Sequence, residues 1–433
     1  MKLDRRTLLR AGLGAALVPA LGRLERHGGA VFSDDRPHRF IQIFLTGGWD
    51  SALGTDPVIG TKASFGAYDP YYAAQPIKTV PGKANLVVGG GLIPALPAFQ
   101  AAPTAFVNGL WIEVAAHDLA TQYLLTGIPT LARTDANPAY VARMGAASGR
   151  FPSHVVLGQV PLGDTKATAP PLQSMGVGGI RAMLRKPGQD WLDDGTRQTA
   201  FELGRTLDEL RYGTDLAGRS AVLSAWLTAD RRVPELYDKG FGPLLEPSPE
   251  LFARYGAEGE LSIAGQLAGC FLVQKSNISR LVTTTTGDFD THSNQDPRQI
   301  NQLRELGTAL NALVADLRAT ADPDAPRLSL MDTTTILIVS EFVRTPTFNK
   351  GGGTDHWQSA SAIVMGSGVR DNTVVGATGP DAKALGWDGQ QAVPRTPSSQ
   401  VVPEMLAAAI MRQCGFSAEA AEVADKPLPG VFL

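Results

Sequence analysis

Residues 39–50 read RFIQIFLTGGWD. The run Arg39 to Leu45 is apolar almost throughout and is closed by Gly47-Gly48, which reads as a buried strand followed by a tight turn. The turn delivers Asp50. The same phrase recurs along the chain. Thr104 to Val114 reads as a second strand, ending at Ala115-Ala116-His117, and Asp118 to Leu125 then reads as a helix stopped by Thr126-Gly127. Arg280 to Thr286 (RLVTTTT) is β-branched and strand-like, and Gly287-Asp288-Phe289-Asp290-Thr291-His292 follows it. Thr333 to Val339 (TTTILIV) reads as another buried strand, ending at Ser340-Glu341, and Ser361 to Met365 as a further short one.

Helical periodicity fills the intervals. It runs from Thr199 to about Leu227, from Leu261 to Val273, through Ile300, Leu303, Leu306, Leu310, Leu313 and Leu317, and from Val402 to Cys414. Strand, loop and helix alternate without an internal repeat. That alternation predicts an α/β fold, a three-layer sandwich with a mostly parallel central sheet and helices on both faces. Ligands of such sheets bind at the carboxyl ends of the strands.

The acids and histidines fall at those ends. Asp50, His117, Asp290, His292 and Glu341 each follow an apolar strand closely, and Asp355 and His356 occupy a Gly-rich loop before the next one. Several carboxylates and imidazoles meeting at one edge repel one another or must protonate unless a cation joins them. The predicted metal ligands are Asp50, Asp290, His292, Glu341, Asp355 and His356. Oxygen and nitrogen donors without thiolate suit Zn, Mn, Fe, Mg or Ca. His117 and Arg344 are the candidate catalytic residues, the first as nucleophile or general acid/base, the second as a bidentate clamp on an anion. Taken singly, each element has a plainer reading. Asp50 caps a turn, Thr354-Asp355-His356 starts a helix, and Glu341 pairs with Arg344. The joint pattern weighs against that: three of the six histidines, His117, His292 and His356, fall at these loops. His38 and His154 precede strand-like runs and read as structural.

Composition excludes other classes. The chain has 433 residues, a formal net charge of −3 and 43% hydrophobic residues, so it carries a sizeable core and lacks the basic stripe of a nucleic-acid binder. Its two cysteines, Cys270 and Cys414, have no CxxC partner, which argues against a thiolate metal site and reads as two buried thiols rather than a disulfide. At the N-terminus, Arg5-Arg6-Thr7-Leu8-Leu9 precedes a short apolar stretch, Ala11 to Leu21, before charge returns at Arg23. A bilayer needs about 20 apolar residues, so this stretch does not span one. It reads as a twin-arginine export signal over residues 1–29, which implies the twin-arginine machinery as a partner and a periplasmic or secreted destination. Residues 30–433 then form one domain with a helical insertion near 196–260.

The chain resembles a secreted bacterial family, the domain of unknown function numbered fifteen-oh-one, itself related to alkaline phosphatases and sulfatases. The resemblance covers nearly all of residues 38–433. It rests on Phe44-Leu45-Thr46-Gly47-Gly48-Trp49-Asp50, on Asp290-Thr291-His292-Ser293-Asn294-Gln295, and on Ser340-Glu341-Phe342-Val343-Arg344-Thr345-Pro346 with Asn349 and Gly353-Thr354-Asp355-His356. The resemblance implies an alkaline phosphatase/sulfatase-like fold. It also sets His117, nine residues before Thr126-Gly127, where alkaline phosphatases and sulfatases place their nucleophile at a helix N-terminus. Those enzymes have serine, threonine or cysteine there, so the histidine puts their covalent mechanism in doubt. Where family members carry serine three residues later, this chain has Ala120, then Thr121.

Two functions are therefore expected. The first is an exported metal-dependent hydrolase acting on small phosphate or sulfate esters. The second is a non-catalytic metal-binding or scaffold protein that retains the fold.

Overall fold

The structure, a computed structural model, describes residues 37–59, 62, 68–129, 139–148, 152–159, 171–184, 240–416 and 427–433. The expected export signal, and with it His27, lies outside these residues. So does the expected helical run from Thr199 to Leu227.

An eight-stranded sheet organises the chain. Its strands are β1 (Arg39–Leu45), β2 (Thr104–Trp111), β3 (Val155–Leu157), β4 (Leu172–Ser174), β5 (Leu281–Thr286), β6 (Thr334–Ser340), β7 (Ser359–Gly366) and β8 (Thr373–Val375). They lie in the order β8-β2-β7-β6-β1-β5-β3-β4. Five of the seven neighbour pairs are parallel, and the two antiparallel ones both involve β7. The sheet is thus mostly parallel, as the alternation predicts.

Strand β1 sits in the middle, in parallel register with β6 on one side (Ile43 opposite Ile338) and β5 on the other (Ile43 opposite Thr284). It is buried at all seven positions because both faces are covered. Successive side chains of a strand point to opposite faces. Ile41 and Ile43 accordingly enter one core with α4 (Ile263–Ser276) and α5 (Gln295–Ala319), while Phe40 and Phe44 enter a second core with α1 (His117–Thr126), α2 (Tyr140–Ala147) and α6 (Pro403–Gln413). The shorter helix α3 (Val177–Met183) packs on the first face. This is a three-layer sandwich. Each of those β1 side chains contributes about 1.5–3 kcal/mol by leaving water. Cys270 belongs to the first core and Cys414 to the second, and both are free thiols.

The antiparallel β7 has a consequence for the site. A loop that precedes a strand of a parallel sheet lies at the amino edge, opposite the loops that follow the other strands. Residues 341–358 instead remain at the carboxyl edge, and β7 runs back from there against β6. Asp355 and His356 share an edge with Asp50, Asp290 and Glu341 only because of this reversal. Among the described residues, no helix is long and apolar enough to cross a membrane.

Candidate functional site

Three loops meet at the carboxyl edge, and they leave three adjacent strands, β5, β1 and β6. Glycine lets them meet. Gly47 has φ +104°, and a Cβ there would stand 2.2 Å from the Asp290 backbone N. A Cβ on Gly353 would stand 2.2 Å from the His292 carbonyl carbon, so the 351–356 segment also lies directly against the loop after β5. The Gly47 N–H donates to Glu341 Oε1 at 2.8 Å, which ties the loop after β1 to the end of β6.

The three imidazoles are each held from the Nδ1 side. His117 Nδ1 lies 2.8 Å from Glu341 Oε1, His292 Nδ1 lies 2.8 Å from Asp355 Oδ1, and His356 Nδ1 lies 3.0 Å from the Ala115 carbonyl oxygen. A carboxylate or carbonyl oxygen accepts only from an N–H. In the neutral tautomer that donates from Nδ1 to these acceptors, each ring presents a lone pair at Nε2. All three Nε2 atoms turn toward Asp290. His292 Nε2 is 3.1 Å and His356 Nε2 3.4 Å from its Oδ1, and His117 Nε2 is 3.5 Å from its Oδ2. His292 Nε2 and His356 Nε2 stand 3.0 Å apart. Lone pairs at that separation repel unless a proton or a cation joins them. His117, Asp290 and His356 each offer one ligand atom within 4.8 Å of the others. Imidazole Nε2 facing inward with Nδ1–H given to a carboxylate or carbonyl is the arrangement that fixes ligating histidines.

The other predicted site residues stand differently. Glu341 is buried and spends both oxygens, Oε1 on Gly47 N–H and His117, Oε2 on the Ser340 hydroxyl at 3.0 Å. Asp355 also accepts from Asn349 Nδ2 at 3.1 Å. Asp50 is 2% exposed, caps the turn over Ser51–Leu53, and accepts from the Tyr72 hydroxyl at 2.6 Å and from Gln295 Nε2 at 2.5 Å. Burial pushes its carboxyl up to about 6, against the lowering by these hydrogen bonds. Arg344 is wholly buried. Its guanidinium donates to the carbonyls of Gly48, Phe289 and Thr354 and to Asp290 Oδ1 at 2.5 Å. The side chain predicted to grip an anion thus binds the protein's own loops together.

Charge at the cluster follows from these contacts. The Glu341 hydrogen bond raises the His117 pKa, although partial burial opposes it. Burial pushes Asp290 up, but Arg344 and the neighbouring histidines outweigh it and hold the carboxyl below its ordinary range. The His292 hydrogen bond lowers Asp355, and burial lowers His356. Beside the cluster lies an open pocket of about 250 Å³, lined by His117, Asp290 and Glu341 with Thr46, Thr121 and Asp288 among others.

Several contributors left little trace in the sequence. Phe342 stacks on the His356 ring at 4.3 Å between centroids, and follows Glu341 directly. Gln299 binds the Gly48 and Phe289 carbonyls and the Asp50 N–H, so α5 staples two of the three loops. Tyr72 comes from a remote one-turn helix, Pro70–Ala73, with no motif around it. Gln295 falls within the motif after Asp290, which is the one signal that pointed to it.

Residues 248–420 match the family model described as "Protein of unknown function (DUF1501)". That span holds Asp290, His292, Glu341, Arg344, Asp355 and His356, and the family resemblance read from the sequence is matched there. No curated protein matches the chain. Solved structures similar to it include that of Ps i-CgsB in complex with k-i-k-neocarrahexaose, at 9% identity and a TM-score of 0.39 over 90% of this chain and 75% of that one. An alkaline phosphatase from the Antarctic bacterium TAB5 is similar at 10% identity and a TM-score of 0.33, over 78% of this chain and 94% of that one. The PH0037 protein from Pyrococcus horikoshii is similar at 8% identity and a TM-score of 0.27, over 78% of this chain and 89% of that one.

Proposed function

We propose that this chain holds a divalent metal ion on His117 Nε2, His292 Nε2, His356 Nε2 and the Asp290 carboxylate, and that it hydrolyses small phosphate or sulfate esters outside the cytoplasm. The observation that supports the reading most is the orientation of the imidazoles. Each gives Nδ1 to an acceptor, and two Nε2 atoms stand 3.0 Å apart beside one carboxylate oxygen. Three imidazoles and a carboxylate suit Zn, Mn or Fe better than Mg or Ca, which prefer oxygen alone. A bound ion would supply a Lewis acid for the ester oxygens. The chain's residues orient and exclude. Glu341 aims His117, Asp355 aims His292, the Ala115 carbonyl aims His356, and Arg344 fixes Asp290. On this reading Glu341 and Asp355 position ligands rather than bind the ion, and Asp50, engaged by Ala52 N–H, Tyr72 and Gln295, does neither. Export through the twin-arginine route is part of the proposal and rests on Arg5-Arg6.

One observation favours the second reading, a metal-binding scaffold without turnover. Arg344 has given its donors to Gly48, Phe289, Thr354 and Asp290, so it is not free to hold a substrate anion. The deciding experiment strips the protein with a chelator, reloads it with each divalent metal, and assays aryl phosphates and aryl sulfates. The hydrolase reading expects turnover to return with metal in the parent and not in Asp290→Ala, because removing a ligand removes the Lewis acid. Metal uptake without turnover on any ester establishes the scaffold. Failure to take up any metal defeats both.

A further inference from the structure

We propose that the hydroxyl of Thr121 is the contact for a tetrahedral oxyanion in this pocket, donating a hydrogen bond to a non-bridging oxygen of a phosphate or sulfate group seated beside α1. The inference rests on the metal-site reading above and adds the place and chemical class of the ligand.

Thr121 stands four residues after His117 on α1, so the two side chains share one helix face, a turn apart. Both line the pocket of about 250 Å³. Thr121 is 7% exposed; its hydroxyl makes no hydrogen bond to any of the described residues and is not fully buried, so it reaches the pocket. A hydroxyl on the wall of a pocket and without a protein partner is available to donate to a ligand there. Helical threonines commonly take the carbonyl four residues back, and Thr126 on the same helix does so with Gln122 at 2.7 Å. Thr46, the other threonine on the pocket wall, is engaged with the Gly287 carbonyl at 2.7 Å. Thr121 alone of these keeps its hydroxyl for the cavity. The pocket also opens at the start of α1, where Ala116 provides no side-chain cap. The first-turn N–H groups and the positive end of the helix favour an anion there.

Three carboxylates, Asp288, Asp290 and Glu341, face the same space and oppose an anion. Each is already engaged: Asp288 by Arg298 at 2.6 Å, Asp290 by Arg344, and Glu341 by Gly47 N–H and His117. Their remaining negative potential makes anion entry conditional on the metal. Phosphate therefore binds the loaded protein and not the stripped one.

The test titrates inorganic phosphate, and separately sulfate, into the zinc-loaded full chain by calorimetry, for the parent, Thr121→Val and Thr121→Ser. Valine keeps the shape and removes the donor. The expected result is metal content unchanged in all three, binding weakened roughly tenfold in Thr121→Val, and recovery to within about twofold in Thr121→Ser. Equal anion affinity in Thr121→Val and the parent, at equal metal content and equal melting temperature, overturns the proposal. So does a metal-loaded parent that binds neither anion, or a stripped parent that binds as well as the loaded one. A parent that takes up no metal fails at the earlier step and removes the metal-site reading itself.

Discussion

At Arg344 a wholly buried guanidinium joins the carbonyls of Gly48, Phe289 and Thr354 to the Asp290 carboxylate. Removing it takes the donor from the Thr354 carbonyl and the guanidinium from the Asp290 carboxylate, while the Gly48 carbonyl keeps Gln299 and the Phe289 carbonyl keeps Gln299 and the Thr291 N–H. Arg344→Met is expected to lower stability by about 3 kcal/mol in urea unfolding, since each buried acceptor left unmade costs on the order of 1–3 kcal/mol. Arg344→Lys is expected to recover only part of this, because an ammonium lacks the planar fork that reaches several acceptors at once. An Arg344→Met protein as stable as the parent would remove the structural role. In the sequence, an arginine three residues beyond Glu341 reads naturally as a clamp for an external anion. What it binds are backbone carbonyls from three separate loops, and backbone groups leave no pattern in a sequence. Two of the histidines were more legible for the opposite reason. His117 and His292 follow apolar runs at short range, so their placement at one edge follows from the strands themselves, whereas His356 precedes its strand and reaches that edge through the reversal of β7. Glu341 illustrates the middle case. Its position at the edge was readable, whereas its occupation by Gly47 N–H, Ser340 and His117 depends on contacts made only after folding. Glu341→Gln, which leaves the ring of His117 without its carboxylate, is expected to weaken metal affinity about 10–100-fold in a competition titration.

Strand β1 has the bounds read from the sequence, Arg39 to Leu45, because a central strand with both faces covered is apolar without interruption. Helix α5 was visible from its spacing for the same kind of reason: Leu303, Leu306, Leu310, Leu313 and Leu317 all enter one core. Strand β3 follows His154, where the sequence reads as strand-like, whereas β4 and β8 were not expected, since three residues do not establish a period. The residue before β3, His154, is buried, with Nε2 on the Thr283 hydroxyl at 2.9 Å. Burial lowers its pKa from 6.5 to about 3. The sign follows directly. Below pH 6.5 the unfolded chain takes a proton on this ring and the folded one refuses it until pH is near 3, so stability is full above the unfolded value and falls as pH drops. The slope approaches about 1.4 kcal/mol per pH unit in that window. His154→Gln keeps a group able to reach Thr283 and does not titrate. Its melting temperature is expected to decline less steeply than the parent's between pH 6.5 and 4. Parallel curves would show that His154 is not buried in its neutral form.

Across the whole molecule, two cores on either side of one sheet hold the site's loops at a common edge, and the reversed strand β7 brings His356 to that edge. The alternation of strand and helix made the three layers readable. It did not reveal the reversal, because a strand's direction depends on how the preceding loop crosses the sheet and not on its own residues. The proposed export is the other reading that concerns the chain as a whole. Replacing Arg5 and Arg6 together with lysine is expected to leave the precursor in the cytoplasm, measured by fractionation, and undiminished export of that double variant would reject the twin-arginine reading. The metal centre is the central claim, and elemental analysis of the full chain purified from its native host tests it most directly. The parent is expected to carry close to one divalent ion per chain. Asp290→Ala, His117→Ala, His292→Ala and His356→Ala are each expected to lose it, while Asp50→Asn keeps it. A parent without metal, or an Asp50→Asn protein that loses the ion while the histidine variants retain it, would contradict the account.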